Sequence, residues 1–218
     1  MDFEDVYARE HVTRKFLNRK VNEKTIAQII RAAQNSPSLL NSQPWRAYAV
    51  MGDALQDLRK EYEAMVQEGA HAHEDFASML SLHWDTFPSQ NMANLGASQT
   101  YFFNNKLELF NDSNNTMFNA PCVIYLTIPK ESPAWSVFDL GIFGQSIMLL
   151  ALNKGLAVMP AHSLVAYPEL VRKYAGIPED ESVGMAIGIG YEDKKAEVND
   201  AKFIPKRLPL KSIYKLTK

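Results

Sequence analysis

The sequence predicts an α+β protein built as one domain, and three features carry that expectation. Ile26, Ile29, Ile30 and Ala33 recur at i, i+3, i+4 and i+7, the spacing of one helix face. Short apolar runs at 47–51 and 121–129 have strand length and are bounded by Pro, Gly and Asp. A third segment, from Trp135 to about Asn153, is apolar over most of its circumference and reads as a helix buried nearly all round. At 218 residues and 46% hydrophobic, the chain can bury one substantial core. Without an internal repeat or a linker-like change of composition, residues 1–218 read as a single domain.

In chain order, residues 2–10 read as a short helix. Asn22 has the side chain of an N-cap, and its helix runs to about Gln34, where Pro37 blocks continuation. Asp53 reads as the cap of a helix carrying Leu55, Leu58, Tyr62, Met65 and Val66 on one face. Residues 69–119 are rich in Asn, Ser and aromatics with weak periodicity, which suggests one or two helices in a variable excursion from the core. Cys122–Ile128 reads as a buried strand, and Gly155 stops the long helix that follows. Leu156–Met159 is a short strand, Pro168–Tyr174 a helix, and Val183–Tyr191 a strand containing three glycines. In the tail, 192–218, Phe203-Ile204-Pro205 and Leu208-Pro209-Leu210 interrupt polar, basic sequence, a pattern that calls for packing along a surface.

Several function classes are disfavoured. A formal net charge of -2 and the lack of a long Lys/Arg run argue against nucleic acid or a membrane surface as partner. One cysteine, Cys122, cannot form an intrachain disulfide and sits in an apolar run, the profile of a core residue in a reduced, cytoplasmic protein. Met1–Asp5 is acidic where a signal peptide is basic, and the longest apolar stretch, around Ile147–Leu152, is too short to span a bilayer. The glycines of Gly184–Gly190 lack the helix start that a dinucleotide fingerprint needs, so they read as a tightly packed strand. His71, His73, Glu74 and Asp75 lack the second cysteine of a zinc-deaminase pattern, and no metal is expected. Gly-x-Ser-x-Gly is absent, and Asp139 and Gln145 read as buried polar groups satisfied by neighbours rather than as catalysts.

The segment Asn35-Ser36-Pro37-Ser38-Leu39-Leu40-Asn41-Ser42-Gln43-Pro44-Trp45 is different. A helix-to-strand connector accounts for its prolines and Trp45, but not for the side-chain donors and acceptors at Ser38, Asn41 and Gln43. It resembles the P-S-x-x-N-x-Q-P-W signature of the nitroreductase family. Three further places resemble that family in the expected order: Glu10–Phe16, a basic motif; Asp139-Leu140-Gly141 to Gln145 with Gly155–Pro160 after it; and Asn199 with Pro205–Pro209. The resemblance covers nearly the whole chain and leaves only 69–119 without a clear match.

What the resemblance implies is an α+β nitroreductase-like fold, a mixed, mostly antiparallel sheet flanked by helices, in an intertwined homodimer. The tail would pack on the partner subunit. FMN would be the cofactor and NAD(P)H the co-substrate, with nitroaromatics, quinones or related electrophiles as acceptors and no side chain acting as catalyst. Arg14, with His11, would serve the pyrimidine or ribityl side. Lys206 and Arg207 would reach the phosphate, for which Arg supplies a planar fork. Pro37, Ser38, Leu39 and Asn41 would meet the flavin from the other subunit. Pro160 and Ala161, with His162, would line its ring and offer a backbone N–H. Two departures stand out: Glu10 occupies a position where the family often has a phosphate-binding Arg, with Arg9 one place out of register, and Val12 one where it has a Ser hydroxyl. They favour one alternative, an FMN-binding protein with little turnover; a specialised enone or dehalogenating reductase of the same fold, and a dimeric scaffold that has lost its flavin site, also stay open.

Overall fold

A computed structural model describes residues 2–76, 84–103 and 106–217; of the expected excursion, 77–83 and 104–105 lie outside the described residues. The elements are helices α1 (Phe3–Ala8) and α2 (Glu23–Ala33), strand β1 (Arg46–Met51), and helices α3 (Gly52–Gln67), α4 (Thr86–Phe103) and α5 (Leu107–Asn115). Strand β2 (Cys122–Pro129), helix α6 (Ala134–Asn153), strand β3 (Ala157–Pro160), helix α7 (Pro168–Ala175) and strand β4 (Glu181–Gly190) follow.

The strands form one sheet in the order β1-β2-β4-β3, and every ladder in it is antiparallel. The parallel element is a single bridge, Val12 to Val158, through which the N-terminal segment runs along β3. Alternation along β2 decides which helices cover which face. Cys122, Ile124, Leu126 and Ile128 point to α2 and α6, where they meet Ile26, Ile29, Phe143 and Ile147. Val123 and Tyr125 point the other way, to Leu55, Leu58 and Tyr62 of α3 and Leu170 and Val171 of α7. Both faces are buried, so β2 reads as a continuous apolar run.

Local chemistry explains the boundaries. The Asn22 side chain accepts the Lys24 N–H at 2.8 Å, capping α2 as its sequence suggests. Asp53, in contrast, is not a cap: α3 begins at Gly52, and Met51 occupies the cap position without a side-chain bond. Gly52 has φ +60°, which lets the chain turn straight from β1 into the helix. Asp53 then lies in the first turn, where its charge favours the helix dipole.

Helix α6 packs on α2 and on β2 and β4. Gly144 permits the close approach, since a Cβ there would lie 3.2 Å from Leu126 Cδ1. Burial nearly all round is expected of a central helix or of one at a subunit interface; within this single chain the first turns are open, with Trp135, Val137 and Phe138 56%, 46% and 59% exposed. The expectation that no segment has membrane-spanning length is corrected. α6 has 20 residues and an 18-residue window with a mean hydropathy of 1.5, long and apolar enough by length and composition, because single polar residues break a run that is apolar on average. Within this chain its Leu140, Phe143, Ile147 and Ala151 belong to the core.

Before β2 the chain makes a turn through Met117, Phe118 and Asn119, all with positive φ. The tail is anchored within its own chain by Val198 and Phe203, and Phe203 stacks on Phe103 of α4 with ring centroids 4.0 Å apart. Beyond that anchor Leu210, Ile213, Tyr214 and Leu216 are exposed.

Candidate functional site

Between α2 and β1 the signature loop is held in a conformation that its residues do not prefer. Leu40, Asn41 and Gln43 have φ of 51°, 58° and 44°, in the left-handed region that non-glycine residues rarely adopt. Internal hydrogen bonds close the turns. Asn41 N–H donates to the Ser38 carbonyl at 3.0 Å, Ser42 N–H to Leu39 at 3.0 Å, and Gln43 N–H to Ser38 Oγ at 2.9 Å. The Gln43 amide donates to Asn41 Oδ1 at 3.1 Å.

Helix α6 supplies the rest. Leu39 N–H donates to Asp139 Oδ2 at 3.2 Å, Ser36 Oγ to Ser146 Oγ at 2.8 Å, and Trp45 stacks on Phe143 with centroids 4.8 Å apart. Although its backbone is fixed, the loop turns its side chains outward. Pro37, Leu39, Asn41, Ser42 and Gln43 are exposed, and Leu40 is 95% exposed.

A second centre lies around Arg14, which is 8% exposed. Its backbone is fixed on both sides: its N–H donates to Asn199 Oδ1 at 2.7 Å, and its carbonyl accepts from the Ser113 hydroxyl. Asn199 also accepts from Lys15 N–H and donates to the carbonyls of Lys15 and Asp193, tying the basic motif to the tail. The guanidinium lies over the Phe110 ring, 5.4 Å from its centroid. Among the described residues Arg14 has no carboxylate partner, and its Nε is buried without a hydrogen bond. Burial accordingly lowers the Arg14 pKa from its ordinary value. Next to it, the Thr13 hydroxyl is fully buried and also lacks a partner among the described residues. A buried cation and a buried hydroxyl, both with bonding capacity to spare, suit an anionic, oxygen-rich ligand.

The two departures in the basic motif have structural counterparts. Gln145 of α6 donates its amide to both carboxylate oxygens of Glu10, at 2.9 and 3.0 Å, so that charge is engaged away from Arg14. Val12 forms the bridge to Val158, and the hydroxyl absent there is present at Thr13. Both nitrogens of the His11 ring are occupied, by the Arg9 carbonyl at 2.8 Å and Glu192 at 3.2 Å.

At the end of β3, Pro160 is half-buried and Ala161 buried. The Ala161 N–H is spent on the Ala186 carbonyl at 2.9 Å. The next N–H groups, of His162 and Ser163, open a short 3-10 turn and have no protein acceptor among the described residues. Lys206 and Arg207 are exposed and make no ion pair among the described residues. They follow the Phe203 anchor, which joins Phe103 and Phe110 in one aromatic cluster and so connects the tail to the ring beneath Arg14.

Other candidates are absorbed into structure. His73 pairs with Glu169 at 2.7 Å, Asp75 with Arg172 at 2.6 Å, and His162 approaches Glu74 at 3.6 Å. Burial pushes the Cys122 thiol up to about 12. Gly184 and Gly190 sit where a Cβ would strike Leu140 and Phe76, or Pro121 and Phe16, as tightly packed strand glycines do. Asp139 and Gln145 are satisfied by Leu39 and Glu10, as their sequence reading expects. Sequence reasoning did not find Phe110 and Ser113 as site residues, since they lie in the excursion, outside the four segments that resemble the family.

Comparison with known proteins adds to this geometry. Residues 8–191 match the model of the Nitroreductase family. Nitroreductase NfnB of Mycolicibacterium smegmatis is 31% identical over 197 residues, covering 85% of this chain and 81% of its own. A 4-nitrobenzoate reductase of Pseudomonas putida is 24% identical over 211 residues, covering 91% and 88%. In three dimensions, the FMN-dependent nitroreductase NfnB from Mycobacterium smegmatis in complex with NADPH matches at a TM-score of 0.88 and 24% identity over 100% of both chains. That likeness establishes the fold, including the α+β sheet flanked by helices.

Proposed function

This chain belongs to the nitroreductase family, and from that premise we propose that it is an FMN-dependent NAD(P)H oxidoreductase that reduces nitroaromatics, quinones or related electrophiles. FMN, when bound, would supply the redox chemistry, hydride exchange at its N5 between NAD(P)H and an acceptor that would bind in the same place. The protein's part is to bind, orient and tune.

Arg14 is the observation that carries this reading, because a buried guanidinium without a carboxylate is stable only if an anionic or carbonyl-rich ligand completes it. Bound at the flavin's pyrimidine edge or ribityl chain, Arg14 would also stabilise negative charge on the reduced ring. Thr13 would add the hydroxyl, with His11 beside it, and Lys206 and Arg207 would bring two cations to the phosphate. Pro160 and Ala161 would form the wall of the ring, with the His162 or Ser163 N–H as donor. Pro37, Ser38, Leu39 and Asn41 would complete the site from the partner of a homodimer. A rigid loop with Leu40 95% exposed, the open first turns of α6 and the exposed apolar tail all support such an interface.

The test is to purify the full chain, identify any released chromophore, and follow NADH and NADPH oxidation with nitroaromatic and quinone acceptors. Bound FMN with acceptor-dependent turnover is expected. An FMN-loaded protein that oxidises neither nucleotide with any of these acceptors would contradict the proposal.

A further inference from the structure

We infer that Asp139 is a positioning residue for the signature loop: its buried carboxylate, carried on α6, holds the Leu39–Gln43 turns in their left-handed form and so pre-shapes a wall of the flavin site. What the loop binds rests on the proposed function, whereas what holds it follows from the geometry of this chain.

Asp139, Phe143 and Ser146 are spaced i, i+4 and i+7, and therefore form one stripe along α6. They grip Leu39, Trp45 and Ser36 respectively. The spacing fits: seven helical residues rise about 10.5 Å, and three extended residues from Ser36 to Leu39 span about 10 Å. Ser146 passes its own hydroxyl hydrogen to the Ile142 carbonyl, which leaves its oxygen to accept from Ser36. The stripe is thus a template against which the loop is laid.

Within the turns, packing does not repay the strained backbone, because Leu40 is almost fully exposed. Hydrogen bonds hold it instead. Those from Asn41, Ser42 and Gln43 N–H stay inside the loop, while Leu39 N–H reaches a group a hundred positions away in sequence. Asp139 is 3% exposed and makes no ion pair among the described residues. A carboxylate buried without a cation is costly, and an apolar side chain would fill the space more cheaply. A role in fixing Leu39 accounts for its presence.

The test compares Asp139→Ala with Asp139→Asn in the full chain, by amide hydrogen exchange at residues 39–43 and by FMN titration. Asp139→Ala should speed exchange at Leu39 and Gln43 at least about tenfold, with protection in β2 and β4 unchanged. It should weaken FMN binding by about tenfold or more. Asp139→Asn, whose Oδ1 can still accept from Leu39, should restore both to within about threefold of the parent. Unchanged exchange in a folded Asp139→Ala protein, or an Asn variant as defective as the Ala variant, would overturn the inference. If the parent binds no FMN, the proposed function fails and hydrogen exchange alone decides the role of Asp139. Should Asp139→Ala not fold, Leu39→Pro deletes the donor N–H at the first position of the turn and should reproduce the exchange result; unchanged protection at Gln43 would contradict it.

Discussion

In the Ser36–Trp45 loop the backbone is gripped and the side chains are open, while around Arg14 the side chain is buried and its bonding capacity is open. α6 fixes the loop, yet Leu40 and Asn41 remain exposed among the described residues. Arg14 is sealed among Asn199, Ser113 and Phe110, yet its Nε and the neighbouring Thr13 hydroxyl have no partner among the described residues. Each region lacks what the other could help supply: the loop lacks a cover, and the arginine lacks an anion. On the proposed reading, such a protomer would be one half of a binding site completed by a ligand and a second copy.

The strongest way to break this contrast is at Arg14. Arg14→Met keeps the packing volume and removes the charge, so FMN affinity should fall about 100-fold, about 3 kcal/mol. The ligand-free protein should melt no lower than the parent, because an uncompensated buried cation has been removed. A calorimetric melt beside an FMN titration checks both halves.

The frame behind each region comes next. At Gly190 a new Cβ would lie 2.6 Å from Pro121 Cδ and 2.8 Å from Phe16 Cδ1, atoms of stiff rings on the Arg14 side of the fold. Gly190→Ala should destabilise by about 2–3 kcal/mol. At Gly184 the obstacles include the flexible Cδ2 of Leu140 at 2.6 Å, together with the Phe76 ring. Gly184→Ala should therefore cost less, about 1 kcal/mol. Urea unfolding measures both, and the reverse order would show that the Leu140 side is the stiffer one.

Asn199→Ala removes a side chain that bonds four backbone groups at the Arg14 turn, and should cost about 2 kcal/mol. The smallest effect belongs to a control remote from both regions. The His71 carbonyl, and then Glu169, raise the His73 pKa above its ordinary 6.5. Its contribution is therefore fully present below 6.5 and lost as pH rises through the higher folded value. Because His73 is exposed, salt should diminish the effect, and His73→Ala should remove it from a pH series of melting temperatures without altering FMN affinity.

Where one residue carried a local rule, the sequence was a good guide. Asn22 and Pro37 bracket α2 closely because a cap and a breaker act within their own few residues. Asp53 misled because the start of α3 is set by the positive φ of Gly52, which hydrophobic spacing does not reveal. The excursion holds two helices, in line with the one or two expected of it, but their bounds were unreadable for a physical reason: α4 contains no charged residue and is mostly exposed, so it has no polar-to-apolar contrast to give a period. Arg14 could be picked from its motif, but its burial by Ser113 and Phe110 depends on tertiary packing from an element outside the segments that resemble the family. Asp139 could be read as a satisfied buried group, whereas its partner, a backbone N–H a hundred residues away, leaves no mark on the sequence at all.

The central claim, that one protomer's Arg14 and its partner's loop build the same site, is tested most directly by complementation. Arg14→Met and a Ser38→Ala/Asn41→Ala variant would be co-expressed with different affinity tags, the mixed dimer isolated through both tags, and its bound FMN counted. A shared site predicts one intact site in each mixed dimer, with about half the parent's FMN content and both variant homodimers nearly empty. A mixed dimer as empty as the two homodimers would contradict it, because each site would then draw Arg14 and the loop from the same chain.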